Sequence, residues 1–552
     1  MRFSRHTPKR KTVLIVMALL SILAGSLLPL VPGGNSAYAA PNGQQETIIF
    51  SSDSRVTGQP FQVTMRSPGG GTIHYTTNGS VPNVNSTPYT GAIPINASTV
   101  IRAQVFDANG SPVSNVYTKS YIIADYQQTI PVMSVVAEWG HLNELLNNPK
   151  GRGQEWERPI NLEYFAPGGQ VEFNVLAGIR IHGNFSRLFS PKKSFRLYFR
   201  KDDYGGPAKL DYPLFADTDV HKFDKLVLRA GFQDTFLHRN IPNLSDKHHT
   251  AKYISDQVVR NLHRDMGQPI AHGTWVLLYL NGEFWGLYNL TERIDDEFMQ
   301  SYSDKDAEWD IITKESGWDD MGQWYNIEEV KEGFYGGWLD NQNWVGNADF
   351  SKPENIGALE WRVDMENVFS YMFLQAYAQN TDWPDSNWIV YQRRDPNAVG
   401  NERKWRMMVW DAEATFGGGA DGRTDLNTIQ RVYSPHDSIT RILEKPFISN
   451  CGLKVRFWER GREYLGVDNP HGKPETEIGQ LSKERVKAEI TRQADIVRPF
   501  IPLETARWAP DLPGPQLFEQ NIANALNFVD EREEIILHHL DELRNQTFTQ
   551  CQ

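Results

Sequence analysis

Cysteine is scarce in this 552-residue chain, which has Cys451 and Cys551 and no others. So few thiols cannot build a zinc site of the cysteine type, and none of the 14 histidines falls in His-x3-His spacing. In an oxidising compartment one disulfide could join the C-terminal tail to the body, but two unpaired thiols fit the sequence equally well. The sequence thus excludes that kind of metal site and leaves the state of the two thiols open.

Long apolar runs are also absent after residue 39, so we expect no membrane-spanning helix in the mature chain. Before that point, five basic residues precede an apolar run from Thr12 to Val31, and Ala37-Tyr-Ala39 has the small-x-small pattern of a cleavage site. We interpret residues 1–39 as a cleaved signal peptide of the Sec type, with an uncleaved membrane anchor as the alternative. The pattern predicts a secreted or cell-surface protein of bacterial type.

Positive charge is in deficit, with 56 basic against 68 acidic residues. Removal of residues 1–39 takes away five basic and no acidic residues, so the formal net charge falls from -12 to -17. An acidic chain repels the phosphate backbone of DNA or RNA, so we expect no nucleic-acid partner. The rest of the chain is long enough for two or more domains.

Residues 45–123 have the pattern of a small β-rich unit. Apolar and polar residues alternate in short segments such as Phe61-Gln-Val63, and glycine-containing turn clusters separate them. Short strands at this spacing predict an all-β immunoglobulin-like sandwich. The segments Tyr75-Thr-Thr-Asn-Gly-Ser-Val-Pro82 and Tyr89-Thr-Gly-Ala-Ile93 resemble the module found at the C-termini of chitobiases and hexosaminidases. The resemblance implies an accessory module that acts either as a spacer or as a contact with a glycan or the cell wall.

Residues 130–545 show neither a repeat nor a linker, and we expect them to form one large α+β body. The first half is rich in strand patterns, and the dipeptide Asn281-Gly282 between two of them is a strong signal for a tight hairpin. The second half is richer in helical patterns. One predicted helix begins after Asp364, a favourable N-cap residue, and runs to about Gln379. This helix would deliver Asp382 at its C-terminal end.

The stretch from Asp382 to Gly417 is the most informative part of the chain. It contains Asp382-x4-Asn387, then two apolar strand patterns, then Asp411-Ala-Glu413 followed by Phe-Gly. Phosphoryl-transfer enzymes need one aspartate to orient the attacking hydroxyl, and an asparagine and a second aspartate to hold metal on the nucleotide phosphates. If the two strands form an antiparallel hairpin, Asn387 and Asp411 become neighbours. The pattern therefore predicts a phosphoryl-transfer site.

Three upstream elements could serve the same site. The first is a small-residue loop between two predicted strands, whose backbone N–H groups could contact phosphate oxygens. The loop residues that we assign to cofactor binding are Gly183, Asn184, Ser186 and Arg187. Next, Lys193 shares the parity of the apolar residues in its predicted strand, so it points to the buried face and needs an anion there, whereas Lys192 points to solvent. Finally, Glu292 could pair with Lys193, or it could form an ordinary surface salt bridge.

Taken together, these motifs resemble the CotH kinase family. The chain has Gly-Asn-x-Ser-Arg before Lys-Lys-Ser-Phe, then Asn-Gly-x3-Gly-x-Tyr-x2-Thr-Glu, Asn-x-Asp-Trp-Pro-x2-Asn and Trp-Asp-x-Glu-x2-Phe-Gly. These motifs fall in that order within residues 130–545. The resemblance implies a divergent protein-kinase-like α+β fold. It also implies an atypical kinase that transfers the γ-phosphoryl group of ATP to Ser or Thr of a secreted, spore-coat or surface protein.

The resemblance further implies roles for single residues. Asp382 resembles the catalytic aspartate, Asn387 and Asp411 resemble ligands of Mg²⁺ or Mn²⁺, and Lys193 resembles a phosphate-binding lysine. Glu413 stands where many family members have aspartate. A glutamate can still bind the metal, but its extra methylene group moves the charge.

Two other functions fit the sequence. The export signal places the chain where ATP is scarce, and a non-catalytic adhesion or carbohydrate-associated binding protein on a kinase-like scaffold would need none. The 16 tryptophans could stack on sugar rings or fill a large core. The other alternative is metal-dependent hydrolysis by a carboxylate cluster, which leaves the Asp-x4-Asn and Phe-Gly pattern without an explanation. That cluster would consist of Asp382, Asp385, Asp411 and Glu413.

Overall fold

The computed structural model describes residues 48–237, 249–318, 323–418, 423–435 and 437–550. The proposed signal peptide and Cys551 lie outside these ranges, so cleavage stays a prediction and the state of the two thiols stays open. The described chain has the expected α+β class, with an all-β module before a larger body of helices and sheets. Within the described ranges, none of the helices is both long enough and apolar enough to span a membrane.

The N-terminal module is built from short strands, as its alternating sequence predicts. These strands are β1 (Ile49–Phe50), β2 (Arg55–Thr57), β3 (Phe61–Val63), β4 (Met65–Arg66), β5 (Thr72–Thr76), β6 (Thr87–Pro88), β7 (Ile93–Ile95), β8 (Thr99–Phe106) and β9 (Tyr117–Ile123). The largest sheet has the order β2-β9-β8-β5-β6, and the pairs β1-β4 and β3-β7 accompany it. Apolar positions of the alternating pattern fill its core, where Val63, Ile95, Ile101 and Tyr121 are fully buried.

A closed barrel follows in the order β10-β11-β12-β13-β16-β18-β17, and the parallel pair β10-β17 closes it. Its strands are β10 (Val132–Val136), β11 (Arg158–Phe165), β12 (Val171–His182), β13 (Ser194–Tyr198), β16 (Lys225–Arg229), β17 (Gly273–Leu280) and β18 (Glu283–Glu292). A small pair, β14 (Leu210–Asp211) and β15 (Lys222–Phe223), lies between β13 and β16 in the chain. Asn281 and Gly282 form the predicted hairpin turn between β17 and β18, with φ of 50° and 83°.

The second part of the body combines an antiparallel sheet with most of the helices. The sheet has the order β20-β19-β21-β22, with β19 (Trp309–Trp318), β20 (Trp324–Glu332), β21 (Trp388–Arg393) and β22 (Arg406–Val409). The α-helices of the described chain are α1 (Trp139–Asn147), α2 (Phe185–Phe189), α3 (Lys201–Tyr204), α4 (Ser255–Asp265), α5 (Asp296–Ser301), α6 (Gly336–Asn347), α7 (Pro353–Arg362), α8 (Met365–Tyr377), α9 (Ser438–Ser449), α10 (Cys451–Leu465), α11 (Lys483–Val497), α12 (Ile501–Trp508) and α13 (Gly514–Gln550).

Helix α8 lies in the largest hydrophobic core and positions the loop that follows it. Residues 367–377 of this helix are all buried. The predicted cap is present, since the side chain of Asp364 accepts a hydrogen bond from the backbone N–H of Asn367. Phe373 packs against Phe457 of α10, with ring centroids 6.1 Å apart. Because α8 is held on all sides, the segment after it, which contains Asp382, begins at a fixed place.

Candidate active site

The two ends of the Asp-x4-Asn motif lie in the segment between α8 and β21. Strand β21 pairs with β22 in antiparallel fashion, with Trp388 opposite Val409, which confirms the predicted hairpin. The amide Nδ2 of Asn387 therefore lies 3.5 Å from Oδ2 of Asp382 and 3.3 Å from the backbone oxygen of Asp411. Residues that are far apart in the sequence thus meet at one end of this sheet.

Asn387 and Asp411 share an unusual backbone conformation. Their φ angles are 61° and 55°, in the left-handed region. Asparagine and aspartate tolerate this region better than other residues with a side chain, but it still costs on the order of 1–3 kcal/mol. Asn387 immediately precedes β21, and Asp411 follows Trp410 just beyond β22. Conformations of this kind cluster at functional sites, which supports the location of the site at these strand ends.

Glu413 uses both carboxylate oxygens to hold a neighbouring segment. Its Oε1 accepts a hydrogen bond from Nη2 of Arg229 at 3.0 Å. Its Oε2 accepts from the backbone N–H groups of Phe232 and Gln233, each at 2.8 Å. The side chain of Gln233 in turn donates to Oδ2 of Asp382. Glu413 therefore anchors the segment after β16 and, through Gln233, supports the orientation of Asp382.

Arg229 lies among several carboxylates. Its guanidinium contacts Oδ1 of Asp411 at 2.5 Å, Glu413 at 3.0 Å and Asp256 at 3.6 Å, and it lies 5.0 Å from the centre of the Trp410 ring. Desolvation raises the pKa of Asp411, and Arg229 opposes that shift. Desolvation and the charge of Asp411 raise the pKa of Glu413 to about 7. Carboxylates are thus crowded at this point, and an added cation would relieve the crowding.

One cavity of about 880 Å³ brings most of the predicted site residues together. Its volume suits a small-molecule ligand. The predicted residues in its lining are Gly183, Asn184, Ser186, Arg187, Asp382, Asn387, Asp411 and Glu413. Lys193 and Glu292 do not contribute to the lining. Among the described residues, no group of three or more His, Cys, Asp or Glu side chains forms a metal site by itself.

The predicted phosphate loop is partly helical, because Phe185–Phe189 forms α2. Hydrogen bonds from its side chains fix its position. The amide Nδ2 of Asn184 lies 3.3 Å from the backbone oxygen of Ser316 in β19, and it also contacts the hydroxyl of Tyr325 in β20. Arg187 is buried and donates to the backbone oxygen of Ile181. The segment thus connects the barrel with the second sheet and borders the cavity.

Lys193 and Glu292 do not form the predicted ion pair. Lys193 is buried as expected, but its ammonium group donates to the backbone oxygens of Arg187 and Ser190 at 2.7 and 2.5 Å. Desolvation lowers its pKa to about 8. Glu292 accepts a hydrogen bond from the backbone N–H of His272 at 2.8 Å. Both alternatives for Glu292 are therefore wrong: it does not pair with Lys193, and it is buried and hydrogen-bonded locally instead of forming a salt bridge at the surface.

Lys192 was expected in solvent, and that prediction is also wrong. Its side chain is fully buried and forms an ion pair with Glu504 of α12 at 2.7 Å. It also donates to the backbone oxygen of Leu287 at 2.5 Å and lies over the ring of Tyr288 at 4.6 Å. Strand β13 begins only at Ser194, so the alternation that places side chains on two faces does not extend back to Lys192.

The outer face of the barrel supplies cavity residues that the motifs did not reveal. Arg180 of β12 and Arg196 of β13 lie on the face opposite the barrel core and line the cavity. Arg229 lines it from β16, and Arg293 from the segment just after β18. The sequence pattern that could have predicted such residues is the alternation Ile179-Arg-Ile-His182, in which basic residues occupy the polar positions of a strand.

Comparison with known families agrees with this architecture. The sequence profile described as chitobiase/beta-hexosaminidase C-terminal domain matches residues 54–119, within the β-sandwich. Comparison with curated proteins found no match. The profile described as CotH kinase protein matches residues 179–536. That range covers more than half of the chain and contains all the predicted site residues, so the chain belongs to the CotH kinase protein family.

Proposed function

We propose that this protein is an atypical kinase that transfers the γ-phosphoryl group of ATP to Ser or Thr of a protein, with Mg²⁺ or Mn²⁺. One observation carries the proposal: in a chain of a kinase family, Asp382, Asn387 and Asp411 meet beside a cavity of about 880 Å³. The same residue types occupy the corresponding roles in phosphoryl-transfer enzymes.

Asp382 is the proposed catalytic residue. Its Oδ2 lies within reach of two neutral amide groups, those of Gln233 and Asn387, which fix the direction of the carboxylate. A carboxylate held in this way can orient an acceptor hydroxyl and accept its proton. The bond between the γ-phosphorus and the ADP oxygen breaks as the bond to the acceptor oxygen forms. Positioning by the protein accounts for most of the rate in such reactions.

Asn387 and Asp411 are the proposed metal ligands, and their surroundings fit a hard divalent cation. Both offer oxygen donors, and the side chain of Asp411 is 39% exposed, which leaves it accessible from the cavity. Bound there, Mg²⁺ or Mn²⁺ would neutralise negative charge on the nucleotide phosphates. Both oxygens of Glu413 already accept hydrogen bonds from the protein, so we assign it to the support of the site.

Radiolabel transfer tests this assignment. Wild-type protein incubated with γ-labelled ATP, Mg²⁺ or Mn²⁺ and casein should label casein or itself. Asp382→Asn and Asp411→Asn should each reduce labelling at least about 100-fold, because each removes a group needed in the transition state. Asp306→Asn, at an exposed aspartate outside the cavity lining, is the matched control and should label as wild type does.

Melting temperatures distinguish a kinase from a non-catalytic binding protein. Asp382→Asn and Asp411→Asn should melt close to wild type, and ATP with metal should raise the melting temperature of wild type by mass action. Variants that label like wild type would show that Asp382 and Asp411 are not the catalytic and metal-binding residues. A wild-type protein with neither labelling nor a thermal shift would favour a non-catalytic binding protein on the same scaffold.

We extend the proposal to the flanking parts of the chain. Residues 1–39 would direct export, and the CotH kinase-like domain would cover residues 130–545. The β-sandwich at residues 45–123 would serve as an accessory module that contacts a glycan or the cell wall. Its similarity to a domain of carbohydrate-active enzymes supports that contact. A secreted, coat or surface protein would then be the acceptor.

A further inference from the structure

Two arginines face each other on the outer surface of the barrel. Arg180 of β12 and Arg196 of β13 are direct cross-strand partners. Side chains at such positions have Cβ atoms roughly 5 Å apart, and like charges there destabilise the sheet. Both guanidinium groups contact one neutral group, the hydroxyl of Tyr198, and they lie 4.8 and 6.0 Å from the centre of its ring. Nothing in this arrangement neutralises their charge.

The surroundings of the pair add no anion. In the part of the chain that the structure describes, neither arginine forms an ion pair with a carboxylate. The Nε atom of Arg196 is buried and has no hydrogen-bond partner. Its Nη2 lies 3.0 Å from Nδ1 of His182. Desolvation, followed by the charges of nearby arginines, lowers the pKa of His182, so this histidine is neutral.

A third arginine extends the positive region. Arg293 lines the same cavity, and its nearest acidic partner, Asp295, is 3.7 Å away. Arg229, whose charge also acts on His182, connects this region with Asp411 and the proposed metal site. Arg180 and Arg196 are therefore cations without carboxylate partners, in the same cavity as the crowded carboxylates around Arg229. A polyphosphate with a divalent metal at one end would complement both regions.

We propose that Arg180 and Arg196, with Arg293 beside them, bind the phosphate groups of a nucleotide in this cavity. Guanidinium groups suit this role because they donate paired hydrogen bonds to phosphate oxygens. Lys193 is outside the cavity lining and its ammonium group is occupied by backbone oxygens, so it does not contact the phosphates. The identity of the ligand as a nucleotide rests on the proposed kinase function; the affinity for polyphosphate does not.

Ligand-induced thermal shifts of the full chain test the inference without catalysis. The probes are Mg²⁺ with ADP, Mg²⁺ with pyrophosphate, and adenosine alone. Arg180→Gln and Arg196→Gln should each weaken binding of ADP and pyrophosphate at least about tenfold, and should leave any adenosine binding unchanged. Without ligand, both variants should melt at or above the wild-type temperature, because one of two repelling charges is gone.

Arg200→Gln is the matched control. Arg200 lies 4.9 Å from the centre of the same Tyr198 ring, but it is paired with Glu157 and is absent from the cavity lining. This variant should bind both probes like wild type. Wild-type affinity in the Arg180 and Arg196 variants, or no binding of either phosphate probe by wild type, would overturn the inference. Arginine-dependent pyrophosphate binding without any phosphate transfer from ATP would retain this site and refute the kinase proposal.

Discussion

At the residue scale, Glu413 shows how one buried carboxylate can hold three groups of a neighbouring segment. Its two oxygens contact Arg229 and the backbone N–H groups of Phe232 and Gln233 at the same time. Those contacts join the end of β16 to the segment after β22. Gln233 also contacts Asp382. The side chain of Glu413 therefore stabilises the junction between these two segments and also supports the orientation of the proposed catalytic residue.

We expect Glu413→Ala to lower the free energy of unfolding by on the order of 3 kcal/mol, because the backbone N–H groups of Phe232 and Gln233 lose their acceptor, whereas Arg229 keeps Asp411 and Asp256 as partners. Glu413→Gln should cost less, because an amide oxygen can still accept one of the hydrogen bonds. Urea denaturation measures both, with Glu475→Ala as a control at an exposed position. Equal stability of Glu413→Ala and wild type would show that these contacts contribute little.

At the element scale, the ion pair of Lys192 and Glu504 fastens α12 to the barrel. Both side chains are 0% exposed. Glu504 also accepts a hydrogen bond from the backbone N–H of Leu287 in β18 at 2.8 Å, so its two oxygens contact β18 and the segment just before β13. Gly286 makes room for the pair, because a Cβ atom there would lie 2.7 Å from Oε2 of Glu504. The helix is thereby held at one position along β18.

We predict that Lys192→Met lowers the free energy of unfolding by about 3–5 kcal/mol, because Glu504 would remain as an unpaired buried charge. The double variant Lys192→Met/Glu504→Leu should recover much of that loss, since no buried charge remains without its partner. A double-mutant cycle in urea provides the measurement. The cycle also needs the single variant Glu504→Leu. If the loss of stability in the double variant equalled the sum of the losses in the two single variants, the two side chains would not be directly coupled.

At the scale of the whole molecule, the described residues from 48 onward form one compact unit in which the sandwich and the barrel meet through buried polar groups. The hydroxyls of Ser120 in β9 and Ser134 in β10 lie 2.8 Å apart. Glu163 of β11 is fully buried and accepts hydrogen bonds from Ser54 and Asn174. Desolvation raises the pKa of Glu163 to about 7, although Lys119 nearby opposes the shift and Asp53 adds to it.

This junction should make the stability depend on pH. At a pH below the ordinary pKa of glutamate, Glu163 is protonated in both the folded protein and the unfolded chain. As pH rises from there to about 7, the folded protein keeps a proton that the unfolded chain has lost, so the free energy of unfolding falls. The total loss is on the order of 3 kcal/mol.

Glu163→Gln should remove that dependence and be more stable than wild type at pH 8. Urea denaturation at pH 5 and pH 8 measures the effect, with Glu155→Gln as the exposed control. Parallel pH profiles for Glu163→Gln and wild type would show that this carboxyl does not titrate near pH 7 in the folded protein.

The sequence by itself determined the features that depend on near neighbours in the chain. The cap at Asp364, the Asn281-Gly282 turn and the hairpin that joins Asn387 to Asp411 all follow from local conformational preferences and strand periodicity. For the same reason, the motif from Asp382 to Glu413 could be recognised without coordinates.

Only the tertiary structure decided which partners the charged side chains find. Lys192 is 312 residues from Glu504, and Arg229 is 182 residues from Asp411. No local pattern encodes such pairs, because they depend on how separate elements pack. The facing arginines of β12 and β13 likewise require the strand register, which places Arg180 opposite Arg196. Strand parity predicts the face on which a side chain lies, and packing alone determines the atoms that it meets there.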